Sequence, residues 1–138
     1  FEDCCDLITE VRIPPQYGKT AAVREVHSAA GYPVVSAAVT IIRNMAASSA
    51  GAYGDSPEAR PNTGPISEVI IAAGCTGNRV VRLQKTERLI AGKQSMKTDS
   101  IEESIREEIS PQSDVLGSTE YKRYINAVCI ADTIRNML

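Results

Sequence analysis

The sequence predicts an α+β domain: a three- to four-stranded, mostly antiparallel sheet packed against about three helices. Three observations carry that prediction. Short β-branched runs bounded by Gly and Pro come first, and segments with helical spacing close the chain. At 138 residues the chain is the size of one domain and long enough to bury a core. Its 43% hydrophobic and 23% charged content is ordinary globular usage, which argues against disorder. With no Trp and Phe1 as its single Phe, the core must be built from Ile, Val, Leu and Ala.

The elements follow in order. "LITEVRIPP" alternates Leu7, Thr9, Val11 and Ile13 against Ile8, Glu10 and Arg12 before two prolines stop it, which is strand patterning. "KTAAVREVHSA" is a second extended piece with Val23 and Val26 as anchors. "YPVVSAAVTIIRN" is short and β-branched, so Val34 to Ile42 form a buried strand. Residues 45–64 hold almost no large apolar group and read as a long surface loop or a hairpin connection. "PISEVIIAAGCTG" is the returning strand and "NRVVRL" another short extended piece. A helix over Gln84 to Ala91 is then ended by Gly92.

Two helices close the chain. In "TDSIEESIREEISP", Ser100 with Glu103, or Asp99 with Glu102, has capping-box spacing. Ile101, Ile105 and Ile109 fall on one face, and Pro111 ends the segment. In the last helix Ser118 is the N-cap and Glu120 complements the helix dipole. Tyr121, Tyr124, Ile125, Val128, Ala131 and Leu138 form the expected apolar stripe, with Lys122, Arg123, Asp132 and Arg135 off it.

Charge and composition exclude several function classes. A net charge of -2 gives no electrostatic footprint for nucleic acid, and no apolar run approaches the roughly 20 residues of a bilayer-spanning helix. "FEDCCDLITE" has neither an initiator Met nor a basic leader, so the chain reads as a fragment or processed piece. Cys4 and Cys5 are adjacent, Cys75 and Cys129 stand alone, there is no CxxC, and His27 is the single histidine. That pattern disfavours a structural zinc site and fits free thiols in a reducing compartment, with the cytoplasm as the default.

No reactive constellation stands out. "GKT" at Gly18 to Thr20 lacks the earlier glycine of a phosphate-binding loop, since Ile13 occupies that position. "GCTGNR" lacks the strand-to-long-helix context of a dinucleotide fingerprint and reads as a tight turn. His27 reads as a surface or packing residue, and Glu102, Glu103, Glu107 and Glu108 as a solvated helix face. No nucleophile, base and orienting group assemble, so this is a domain that packs rather than one that reacts alone.

Taken in order, "LITEVRIP", "YPVVSAAVTI", "GCTGNRVVRLQKTERLIAGK" and "SPQSDVLGSTEYKRYINAVCIADTI" resemble the C-terminal domain of the FAD-binding subunit of molybdenum hydroxylases, the carbon monoxide dehydrogenase and xanthine dehydrogenase family. The most specific pieces are Arg82 five residues before Glu87, the spacing of Glu87, Ile90 and Gly92, and the run from Asp114 to Arg123. The resemblance implies a single domain over 1–138, with residues 1–15 joining it to an upstream FAD-binding domain. It implies a sheet and three helices, and FAD bound mainly by that upstream domain's glycine-rich loops. Molybdopterin and iron-sulfur clusters would lie in partner subunits, and electrons would pass through FAD to an acceptor. On this resemblance the isolated domain is not catalytic.

The resemblance also implies two cofactor-binding positions, Ile8 as an apolar flavin contact and Arg24 as a basic residue bordering the flavin. Ordinary burial statistics offer the alternative of a core Ile8 and a solvated Arg24. The small residues of "SAAGY" stand where the family usually has an Arg and an Asp, which puts contacts there in doubt. Two functions stay open at this point: a flavin-framing domain of an oxidoreductase complex, or a non-catalytic docking scaffold with the same fold. A glycine-rich FAD-binding region upstream of Phe1 is expected from the first and not from the second.

Overall fold

The computed structural model describes residues 9–12, 18–28, 31–44, 64–77, 79–93 and 96–138. Within them run β1 (Lys19–Val26), β2 (Pro33–Arg43), β3 (Ile66–Gly74), β4 (Val81–Arg82), α1 (Gln84–Ile90), α2 (Thr98–Glu108) and α3 (Thr119–Met137). The strands form one sheet in the order β1-β2-β3-β4, antiparallel at every pairing. The α+β expectation therefore holds.

The period-2 geometry of strands sorts residues onto two faces. Ala37, Val39 and Ile41 of β2 and Val69, Ile71 and Ala73 of β3 form one core cluster with helical residues, and Ala21 and Val23 of β1 pack against it. α1 lies against β3 and α3 against β2 and β1, while α2 packs on α1 and α3. The three helices of the described residues therefore share one face of the sheet, and among those residues no helix covers the other. Ile101, Ile105 and Ile109 are buried as their four-residue spacing requires.

Two family-bearing motifs prove to be joints of this layer. Where the two-residue β4 ends, the Glu87 carboxylate takes over the ladder: it accepts the Ile71 amide at 2.8 Å and the Arg82 guanidinium at 2.9 Å. Gly92 ends α1 with φ +78° and donates its amide to Ile66 O at 3.1 Å, binding the helix end to the start of β3.

Four expectations need correction. Thr9–Arg12 carry no strand, and Val11 is 76% exposed. Alternation supplies two faces but no partner, and among the described residues the ladders of this sheet join β1 to β4. α2 starts at Thr98 with Lys97 as N-cap and no side-chain cap, so the capping boxes at Asp99 and Ser100 fall inside the first turn. Glu108 is not simply solvated: its carboxylate accepts the Lys85 and Thr86 amides at 2.9 and 3.0 Å, closing the start of α1 from a neighbouring helix. The fourth correction is the phase of α3.

α3 keeps Ser118 as N-cap, its hydroxyl accepting the Tyr121 amide at 3.2 Å. Its buried side, however, is Lys122, Asn126, Ala127, Ile130, Ala131, Ile134 and Met137. Of the expected stripe only Ala131 is buried; Ile125 and Val128 are half-buried, and Tyr121, Tyr124 and Leu138 are exposed. The helix is apolar on two sides, and the aliphatic side fits the aliphatic sheet. The phenols stay where their hydroxyls meet water. The expected loop over 45–64 lies outside the described residues except for Gly64, as do Ile8, Cys4 and Cys5.

Candidate functional site

The strand register sets three rows on the sheet's helix-free face, beyond the Ile42–Glu68 pair. Thr20, Thr40 and Ile70 form the first, Ala22, Ala38, Ala72 and Arg82 the second, and Arg24, Ser36 and Gly74 the third. Thr20 and Thr40 share a hydroxyl hydrogen bond of 3.0 Å at one end. At the other, Arg24 is exposed and donates from Nη2 to Gly31 O at 3.3 Å. Between them lies a floor of alanine, serine and glycine. Short side chains let a flat group approach the backbone plane, and the guanidinium beside them offers donors and positive charge.

Beyond the third row the sheet ends at a cleft of about 490 Å³. Tyr32 and Pro33 line it from the start of β2, Cys75 from the end of β3, and Asp114, Val115 and Lys122 from the α2–α3 connection. Cys75 has φ +62°, a left-handed conformation that a residue with a Cβ rarely adopts. Burial pushes its thiol pKa up, against the pull of the Lys122 and Arg24 charges. The thiol is thus protonated at neutral pH and a poor nucleophile.

The cleft wall is braced by a clamp. Lys122 is 4% exposed, yet its ammonium meets Asp114 Oδ2 at 2.6 Å and Gln112 O at 3.1 Å. The Asp114 carboxylate also accepts the Leu116 amide at 2.8 Å, and Asp114 and Gly117 exchange both backbone hydrogen bonds. The Lys122 bond, then the Leu116 amide, holds the Asp114 carboxyl below its ordinary range. Gly117 is required for space, since a Cβ there would lie 2.7 Å from the Tyr121 ring. Below the clamp the Asn126 amide donates to Lys122 O at 2.8 Å and Val34 O at 3.2 Å, pinning α3 to β2.

Of the two expected flavin-bordering residues, Arg24 lies on the helix-free face, and Ile8 lies outside the described residues. His27 is a surface residue, as expected: its Nε2 is 3.0 Å from Leu116 O and its ring stacks on Tyr121. "GKT" runs into β1, whose first residues are Lys19 and Thr20. Sequence reasoning missed the clamp because it assigned Lys122 to the surface. The four-residue step from Lys122 through Asn126 and Ile130 to Ile134 was the available signal. Among the described residues no group of His, Cys, Asp and Glu is placed to hold a metal, and no helix is long and apolar enough to cross a membrane.

Comparison with known proteins bears on what this fold is. Residues 32–137 match the family model described as the CO dehydrogenase flavoprotein C-terminal domain. The chain is 32% identical over 130 residues to the uncharacterized protein YgfM of Escherichia coli K12, covering 94% of this chain and 39% of that protein. Quinoline 2-oxidoreductase from Pseudomonas putida 86 superposes with a TM-score of 0.68 at 16% identity, over 91% of this chain and 38% of that one. A carbon monoxide dehydrogenase from Hydrogenophaga pseudoflava, lacking the Mo-pyranopterin moiety of its molybdenum cofactor, gives 0.67 at 14% identity, over 92% and 39%. At such identities the structural likeness speaks for the fold, and the chain spans about two fifths of the relatives' length. The family match rests on the stretch that builds β2 to α3, so the chain belongs to the CO dehydrogenase flavoprotein C-terminal domain family.

Proposed function

We propose that this chain is the C-terminal domain of the FAD-binding subunit of a cytoplasmic, molybdenum-hydroxylase-type oxidoreductase complex, and that it frames the flavin with its helix-free face. The observation that carries the reading is the contrast within the sheet: one face is sealed by three helices, while the other offers a floor of Ala22, Ala38, Ala72, Ser36 and Gly74 beside Arg24. That floor suits a flat, conjugated ring, and Arg24 suits its polar edge. When bound, FAD supplies one- and two-electron exchange between the iron-sulfur clusters of the complex and an outer acceptor.

This chain's residues contribute shape rather than chemistry. The rows exclude water from one side of the ring, Arg24 orients it, and the helix layer behind keeps the strands in register. Pyrophosphate recognition is assigned upstream, because it needs backbone amide cradles whose glycine spacing "GKT" and "GCTGNR" lack. The test is to purify the whole polypeptide that carries this domain and count its flavin. One FAD per chain and a glycine-rich region upstream are expected. A flavin-free polypeptide without that region would leave a docking scaffold instead.

A further inference from the structure

The cleft beyond the third row takes no part in the framing of a flavin, and its lining has a chemistry of its own. Its volume of about 490 Å³ lies within the range of small-molecule sites. Tyr32 and Pro33 from the start of β2, and Val115 and Leu116 from the α2–α3 turn, give it apolar walls. The Tyr32 ring is 83% exposed, so its face is open to a stacked ring. The turn is fixed in advance, because the Asp114 carboxylate holds both the Leu116 amide and the Lys122 ammonium. Such bracing lowers the ordering cost of binding.

Lys122 supplies the polar end. It lines the cleft although it is 4% exposed, and an ammonium carries three N–H donors. Asp114 Oδ2 at 2.6 Å and Gln112 O at 3.1 Å take two of them; among the described residues the third meets no acceptor. A second unmet group stands at the same strand end. Thr76 is buried between the lining residues Cys75 and Gly77, and its hydroxyl has no partner among the described residues. Leaving a buried charged donor unmet is costly, which favours a ligand that brings it an acceptor.

Charge narrows the class. Lys122 and Asp114 already balance, so an anion would compete with a carboxylate 2.6 Å from the ammonium, and a cation would be repelled by that ammonium. We propose that this cleft binds a small, uncharged aromatic ring bearing a carbonyl group, with the ring against Tyr32 and the carbonyl oxygen accepting from Lys122 Nζ. Hydrogen bonds from a charged donor are the stronger kind. A hydrocarbon of the same shape would strip water from Lys122 and return no acceptor. The site shares no residue with the alanine floor, so it stands whether or not a flavin is framed there.

The test is equilibrium dialysis of the full-length polypeptide against 2-acetylnaphthalene, a neutral two-ring ketone. Its carbonyl-free analogue 2-ethylnaphthalene and the anion 2-naphthoate are the comparisons. The wild type is expected to bind one ketone per chain, at least about tenfold more tightly than either. Tyr32→Ala, at an exposed ring, should keep its melting temperature and bind the ketone about fivefold more weakly. Lys122→Met keeps an apolar stem without the donor and should bind ketone and hydrocarbon equally; if it does not fold, Tyr32→Ala and the three ligands decide alone. Equal affinity of the wild type for ketone and hydrocarbon would overturn the assignment. So would no measurable ketone binding, naphthoate binding as tight as the ketone's, or a ketone affinity that Tyr32→Ala leaves unchanged. FAD content, read on the same samples, separates this result from the flavin reading.

Discussion

The two faces of the sheet share strands but not chemistry. On the helix side, Val39, Ile41, Val69 and Ile71 join Ile130, Ile134 and Ile105 in one buried aliphatic cluster. On the other, alanine, serine and glycine occupy the equivalent central positions. Sheet stability alone would favour β-branched residues on both faces. The difference teaches that the first face is built to hold the fold and the second to leave room beside it.

Substitutions can break or sharpen that contrast. The largest effect is expected from Val39→Asp, which buries an unpaired carboxylate at a fully enclosed site. The cost of several kcal/mol is comparable with the whole stability of a small domain, and circular dichroism should find the isolated chain unfolded. Ile134→Ala, also on the sealed side, should cost about 2–5 kcal/mol in a denaturant melt. Lys122→Ala should cost about 1–3 kcal/mol, since it removes a buried stem and leaves Gln112 O without its donor. A melt indistinguishable from wild type would show that the clamp does not hold the cleft wall. Ile125→Asp, on the outer side of α3, should shift stability by no more than about 1 kcal/mol, because the carboxylate can reach water.

The clamp has a pH signature of fixed sign. Because the Asp114 carboxyl lies below its ordinary range, the ion pair's contribution is complete above the normal carboxylate pKa of about 3.9. It is lost as pH falls through the lower folded value. Asp114→Asn should therefore remove part of the acid-side slope of the stability curve and leave the slope above pH 6 unchanged. Acid titrations of the two proteins that superpose would contradict the clamp.

Much of this was legible in the sequence where one local pattern dominated. β2 announced itself through "VVSAAVTII", the Ile101, Ile105, Ile109 spacing gave the buried side of α2, and Ser118 and Gly92 marked helix ends. The phase of α3 was not legible, because both sides are apolar and the choice is made by residues of β2 distant in sequence. The clamp needed Asp114 and a reverse turn to meet Lys122, and local charge argued for the surface instead. For the candidate site, Arg24 was identified, but the floor beside it exists only through the register of β1 on β2 and β2 on β3. The hydrophobic pattern assigns each residue a face, but which residues meet across β1, β2 and β3 also depends on the connections between them.

If the helix-free face frames a flavin, as proposed, Ala38→Trp in the full-length subunit should displace it. Ala38 is exposed in the middle row, so an indole there can extend outward without entering the core, and thermal melting should be unchanged within about 0.5 kcal/mol. The indole would nevertheless fill the space beside the row. The measurement is flavin absorbance per chain in the purified subunit. Ala38→Trp is expected to lose most of its FAD or shift its visible bands, while folding as wild type does. A fully loaded subunit with an unaltered flavin spectrum would contradict it.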